Sequence, residues 1–182
     1  IELIHARKYA SVGVNELCEN AGVKKGSFYH FFPSKIDLTS AALDEVANWY
    51  RRDIYEPAFA KDLPPLARIQ RYFQLIYEYH VSLTEAAGRM AGCHFGNLAV
   101  EMSTQDEVIR EKVKAMFESG VATFEEVLRE AVAAGDLPAI DISLAAHALQ
   151  AYLEGVVLLA KTWEMIRRLA PGAAQLVMLG KP

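Results

Sequence analysis

The chain has 182 residues, of which 52% are hydrophobic and 23% charged, with a formal net charge of −4. This composition belongs to a globular protein with one large or two small cores; it excludes a disordered or collagen-like chain and a wholly basic nucleic-acid binder. Two cysteines, Cys18 and Cys93, cannot build a disulfide framework, and such sparing use suits a reducing cytoplasm, the expected location. Charge-free runs are short, so no membrane span is expected. Ile1 stands inside a helical pattern, from which a preceding segment is expected.

Apolar spacing is helical throughout, and Pro33, Pro57, Pro64 with Pro65, Gly135 to Pro138, and Pro171 with Gly172 punctuate it. The pattern predicts an all-α protein. A first helix ends near Arg7, short helices follow at about 14–20 and 25–31, and a longer one covers about 35–55. The chain then continues through helices at about 65–84, 95–102, 105–134 and 141–168, with a last turn after Pro171. We divide it into a helix-turn-helix head over residues 1–45 and a helical body over 46–182. No flexible linker separates them, so movement of the fourth helix could couple the two.

Charge is distributed unevenly. Residues 1–35 carry Arg7, Lys8, Lys24, Lys25 and Lys35 against Glu2, Glu16 and Glu19, which leaves the rest of the chain net acidic. Within this basic head, Val14, Leu17, Cys18 and Ala21 form one apolar stripe. Gly22 can take the positive φ of a tight turn, and Val23 is expected to plug the angle between two helices. On the second short helix Phe28, Phe31 and Phe32 are expected in the core, leaving Lys24, Lys25, Ser27, Tyr29 and His30 outward. A short helix with donors on its open face is what major-groove reading requires. Lys24 and Lys25 can neutralise phosphates, Gly26 allows close backbone approach, Ser27 and His30 can reach bases or phosphates, and Tyr29 can bond a phosphate. Ser34 is a natural N-cap for the next helix, where Lys35 and free amides offer a second phosphate clamp. The segment 22–27 lacks P-loop spacing and follows a helix, which argues against a nucleotide site.

The run Val14-Asn-Glu-Leu-Cys-Glu-Asn-Ala-Gly-Val-Lys-Lys-Gly-Ser-Phe-Tyr-His-Phe-Phe-Pro-Ser-Lys35 resembles the helix-turn-helix signature of TetR/AcrR-type transcriptional regulators. The resemblance covers about the first quarter of the chain. It implies that Lys25, Gly26, Ser27, Tyr29, His30 and Lys35 touch operator DNA, that the protein is a homodimer, and that the operator is palindromic. Lys8 departs from the family, which usually has Gly there; a left-handed backbone at Lys8 would cost roughly 1 kcal/mol.

The body is rich in aromatic and methionine residues. Leu66, Ile69, Phe73, Ile76, His80 and Leu83 recur at steps of three or four, beside Tyr72, Tyr77 and Tyr79. With Trp49, Cys93, Phe95, Met102, Met116, Phe117 and Tyr152, the residues Phe73, Tyr77 and His80 are candidate contacts for a small hydrophobic or aromatic molecule, although an ordinary packed core would use the same residues. The helices at about 105–134 and 141–168 carry more apolar surface than one core needs, which points to dimerisation by pairing with their symmetry mates. Gly92-Cys93-His94-Phe95-Gly96-Asn97-Leu98-Ala99 resembles a Gly-Cys…Gly-Asn-Leu segment found in part of the family. Some relatives sense electrophiles or oxidants through a cysteine, and a thiolate beside an imidazole could react here; a buried inert thiol is the plainer reading.

These features favour a cytoplasmic regulator, a repressor released from double-stranded operator DNA by a small effector, with no metal or other cofactor. An all-α enzyme using His80, His94 or Glu101 as acid or base is the rival from another class, but the sequence offers no nucleophile elbow, paired catalytic carboxylates, or nucleotide or metal signature. A scaffold that binds only protein would leave the donor-rich face of residues 24–35 unexplained.

Overall fold

The computed structural model describes residues 1–163, in which every regular element is helical. In chain order these are α1 (Glu2–Ala6), α2 (Val14–Ala21), α3 (Lys25–Phe31), α4 (Lys35–Tyr50), a π-turn (Arg51–Tyr55), α5 (Glu56–Phe59), α6 (Pro65–Ala87), α7 (His94–Met102), α8 (Glu107–Ala133) and α9 (Ile142–Trp163). The expected last turn after Pro171 lies outside the described residues. The described residues form two compact units: residues 1–48 with 94–116, and residues 49–93 with 117–163. Both α4 and α8 begin in the first unit and end in the second.

In the first unit Ile4, Val12, Cys18, Phe28, Leu43, Phe95, Leu98, Met102, Ile109 and Val113 are buried. Its helix ends are closed locally. Gly22 takes φ 66°, so the Val23 amide bonds Cys18 O at 2.9 Å and the Gly22 amide bonds Glu19 O at 3.2 Å, the paired bonds of a Schellman stop. Ser34 caps α4: its Oγ accepts from the Asp37 amide at 3.2 Å and donates to the Asp37 carboxylate at 2.7 Å. At the start of α8 the Asp106 carboxylate accepts the Ile109 amide at 3.0 Å.

In the second unit Tyr50, Ile54, Ile69, Tyr72, Phe73, Ile76, Met90, Phe124, Val127, Leu128, Leu153 and Val157 are buried. Arg71 ties the approach to α6 by donating to Ala58 O and Ala60 O, each at 2.9 Å, and to both oxygens of Asp62. Buried Arg68 pairs with Glu130.

Pro57 does not end the fourth helical segment as its residue type suggests. The chain remains helical to Phe59, with Pro57 in the first turn of α5. Proline supplies no amide and crowds the carbonyl four residues earlier, and the π-turn accommodates this by widening the ladder: the Glu56 amide reaches back to Arg51 O.

By length and composition alone the 22 residues of α9 would suffice to cross a bilayer, with 17% of its most apolar stretch buried; the core helix of a globular protein can pass the same test. In α9, Glu154 and Lys161 interrupt its apolar run without greatly lowering the average. Its apolar surface has two sides. Ala146, Leu153, Val157 and Ala160 are buried, while Leu144, Leu158, Leu159 and Trp163 are exposed.

Candidate nucleic-acid interface and effector interior

Helix α3 presents the donors expected of it. Lys24, Lys25, Gly26, Ser27, Tyr29 and His30 are all exposed, and Phe28 alone on this helix is buried. A Cβ added at Gly26 would meet nothing within 4 Å, so internal packing does not require glycine there. Phe28 fixes the ring next to it: Tyr29 packs edge-on against Phe28 at 5.1 Å. Two core expectations are corrected. Phe31 is 71% exposed and Val23 is 44% exposed. Helix α3 ends at Phe31, so the apolar stripe begun by Phe28 finds no further wall, and Phe32, 6.0 Å from Phe28, turns inward in extended backbone instead.

Lys35 has partners within its own unit. Its Nζ donates to Tyr9 O and Val12 O, each at 2.8 Å, and lies 3.8 Å from the centre of the Tyr9 ring. Partial burial lowers the Lys35 pKa, an effect the negative charge of Glu101 opposes. The other side of the same turn is held by Glu101 on α7, whose two oxygens accept the amides of Tyr9 and Ala10, each at 2.8 Å. The backbone leading into α2 is thus fixed through its carbonyls by a cation and through its amides by a carboxylate. Sequence reasoning weighed Glu101 only as an acid or base. The usable signal is its position on α7 beside the buried stripe of His94, Leu98 and Met102, where a carboxylate needs a partner.

The second unit has an aromatic interior. Tyr72 packs on Tyr55, Phe59 and Phe124, with centroids 5.2, 5.2 and 5.4 Å away, and Phe73 meets Tyr152 at 5.9 Å. The Tyr72 hydroxyl donates to that of Tyr55 at 3.3 Å. Trp49 and Tyr79 pack with centroids 4.5 Å apart and planes tilted by 37°, and Tyr79 contacts Tyr50 and His80. Gly120 permits a close approach here, since a Cβ would fall 2.5 Å from Gln150 Oε1 and 3.0 Å from the Tyr55 hydroxyl.

Cys93 adjoins this interior. It hydrogen-bonds Glu154, whose carboxyl is pushed up by burial and partly restored by that bond. Burial and then the negative form of the Cys93 sulfur push the Tyr79 phenol up to about 12, and both effects also raise Tyr50. Buried His80 places Nδ1 2.8 Å from Ile76 O; burial holds its pKa below the ordinary value, against that hydrogen bond.

Of the candidate effector contacts, Phe73 and His80 are buried and Trp49, Tyr77, Cys93, Phe117 and Tyr152 half-buried within the second unit. Phe95, Met102 and Met116 fall in the first unit, where Phe95 and Met102 belong to the core.

Such a chain, with a helix-turn-helix that holds its donors outward and a separate aromatic unit, has the build of a DNA-binding transcriptional regulator. Residues 1–42 match the family described as bacterial regulatory proteins, tetR family, and residues 65–171 match the tetracyclin repressor-like C-terminal domain. The chain belongs to the tetR family, and its relatives are transcriptional regulators, not enzymes. It is 32% identical over 162 residues to the transcriptional regulator AcuR of Cereibacter sphaeroides, covering 88% of this chain and 72% of that protein. It is 31% identical to the HTH-type transcriptional repressor DhaR of Mycobacterium sp. strain GP1, over 72% of this chain and 62% of that protein. Among solved structures, regulatory protein TetR from Rhodobacter sphaeroides superimposes with a TM-score of 0.80 at 30% identity, covering 98% of this chain and 90% of its own. The reduced form of E. coli NemR does so with a TM-score of 0.81 at 25% identity, covering 97% and 89%.

Proposed function

We propose that the protein is a cytoplasmic repressor that grips a palindromic operator as a homodimer and releases it when a small hydrophobic or aromatic molecule enters the second unit. The observation that carries this reading is the open face of α3, where Lys24, Lys25, Ser27, Tyr29 and His30 are exposed around a single buried Phe28. Lys24, Lys25 and Tyr29 take phosphates, Ser27 and His30 take base edges or phosphates, and Gly26 lets the sugar-phosphate backbone approach. Lys35 spends two of its three N–H donors on the turn before α2 and offers the third to a phosphate.

The exposed apolar side of α9, together with α8, is the dimer face in this reading, and a two-fold dimer of this kind holds its recognition helices about one DNA turn apart, roughly 34–36 Å, or at a multiple of it. The effector's contacts are Trp49, Phe73, Tyr77, His80, Phe117 and Tyr152. Release requires that the effector bind more tightly to the conformation that does not fit DNA, and α4 and α8, each shared by both units, carry the change. The test is titration of duplexes from the gene's own upstream region at two salt concentrations. Tight, sequence-selective, salt-weakened binding by a dimer supports the reading, and binding no better than to random DNA overturns it.

A second sensing mode rests on the half-buried position of the free Cys93 at the edge of the aromatic interior: the Cys93 thiol takes up an electrophile or oxidant directly, in spite of the neighbouring Glu154 carboxylate, which disfavours the thiolate. Release that persists in Cys93→Ser would exclude it.

A further inference from the structure

On the reading of α3 as the DNA-reading helix, we infer that Phe31 is a specificity residue that contacts the 5-methyl group of an operator thymine. Phe31 is 71% exposed, the most exposed aromatic side chain among the large exposed hydrophobics of the described residues. It is not needed by the core, because Phe28 is buried and Phe32 packs toward it. Phe31 lies one helical turn beyond Ser27 on the same side of α3. Its ring is also positioned, packing edge-on against His30 with centroids 4.9 Å apart and planes at 80°. An apolar ring is thus held beside two hydrogen-bonding side chains on a surface otherwise suited to phosphates and base edges.

The chemistry of the major groove supplies the matching group. Each base pair presents donors and acceptors there, and the thymine methyl is the apolar feature that a phenylalanine ring can cover. A Phe ring offers nothing to a phosphate, whereas Lys24 and Lys25 at the start of α3 do. Phe31 therefore adds a preference for thymine at one position of each half-site.

The experiment uses the full chain and an operator duplex selected from a random pool. Each thymine is replaced in turn by deoxyuridine, which removes only the methyl group. At one thymine per half-site, wild-type binding should weaken about fivefold to twentyfold, whereas Phe31→Ala should bind the thymine and deoxyuridine duplexes alike. Phe31→Leu, which keeps an apolar tip, should retain part of the discrimination. The salt dependence should be the same for all three proteins, since no phosphate contact is changed. Wild-type binding unchanged at every deoxyuridine position overturns the inference, as does a Phe31→Ala loss that falls equally on both duplexes. Selective, salt-sensitive binding in those cases leaves the regulator reading standing. If the pool yields no preferred duplex, both fall together.

Discussion

The two units are held together by different physics. In residues 1–48 and 94–116, directional polar contacts set the backbone: Glu101 accepts two amides, Lys35 donates to two carbonyls, Ser34 and Asp106 cap helices, and Lys112 pairs with Asp44. In the second unit, rings on α5, α6 and α8 meet at centroid distances of 5–6 Å, with the phenols of Tyr55 and Tyr72 bonded to each other. Directional bonds fix atoms within tenths of an ångström, which suits a surface that must match base edges. Ring packing depends mainly on area and tolerates several geometries, which suits the effector-binding interior proposed above. Directional polar contacts and ring packing are thus divided between two units of one chain.

Phe124, 1% exposed, meets Phe59, Tyr72 and Phe73 in the ring cluster. Phe124→Ala should cost about 3–5 kcal/mol, read as a lower midpoint in urea with tryptophan fluorescence as the probe. On the other side, Glu101→Ala strips the acceptor from two amides and should cost about 1–3 kcal/mol. Its signature is local: faster hydrogen exchange at Tyr9 and Ala10, with amides of the ring cluster unchanged. Gly22→Ala should cost about 1 kcal/mol in thermal unfolding, for a purely conformational reason, because φ is 66° and an added Cβ meets nothing within 4 Å.

The gentlest probe is pH. Because the folded-state pKa of His80 is lowered, the unfolded chain binds its proton first as pH falls. Stability should therefore decline below about pH 6.5 until the folded pKa is passed. His80→Leu should flatten that part of the profile in chemical unfolding at fixed temperatures.

Much of this was legible locally. The stops at Gly22 and Ser34, the helix boundaries and the outward donors of α3 follow from residues within a turn or two of one another, which is the range over which capping and periodicity act. The exceptions depend on what lies beyond that range. Phe31 has a core-like identity and core-like spacing, but only the end of α3 at that residue leaves it without a wall. Glu101 finds Tyr9 across 92 positions, and no periodicity reports such a pairing. Pro57 reads as a stop because the common rule takes the α ladder as the only one available; the π-turn keeps the chain helical by another register. For the proposed effector contacts, residue types suggested an aromatic lining but could not assign Phe95 and Met102 to the other unit.

The carboxylate of Glu101 has a consequence for anyone building hybrid sensors. The segment that matches the tetR family ends at residue 42, yet the compact unit around it also includes residues 94–116. A graft that transplants only the first segment carries the Tyr9 and Ala10 amides to a new host without their acceptor, and takes the buried Ile4 and Val12 away from Phe95, Leu98 and Ile109, which are buried in the same compact unit. The exchangeable cassette is two pieces of chain, and a recipient scaffold must supply an acidic side chain at the place of Glu101 or import α7 with the graft.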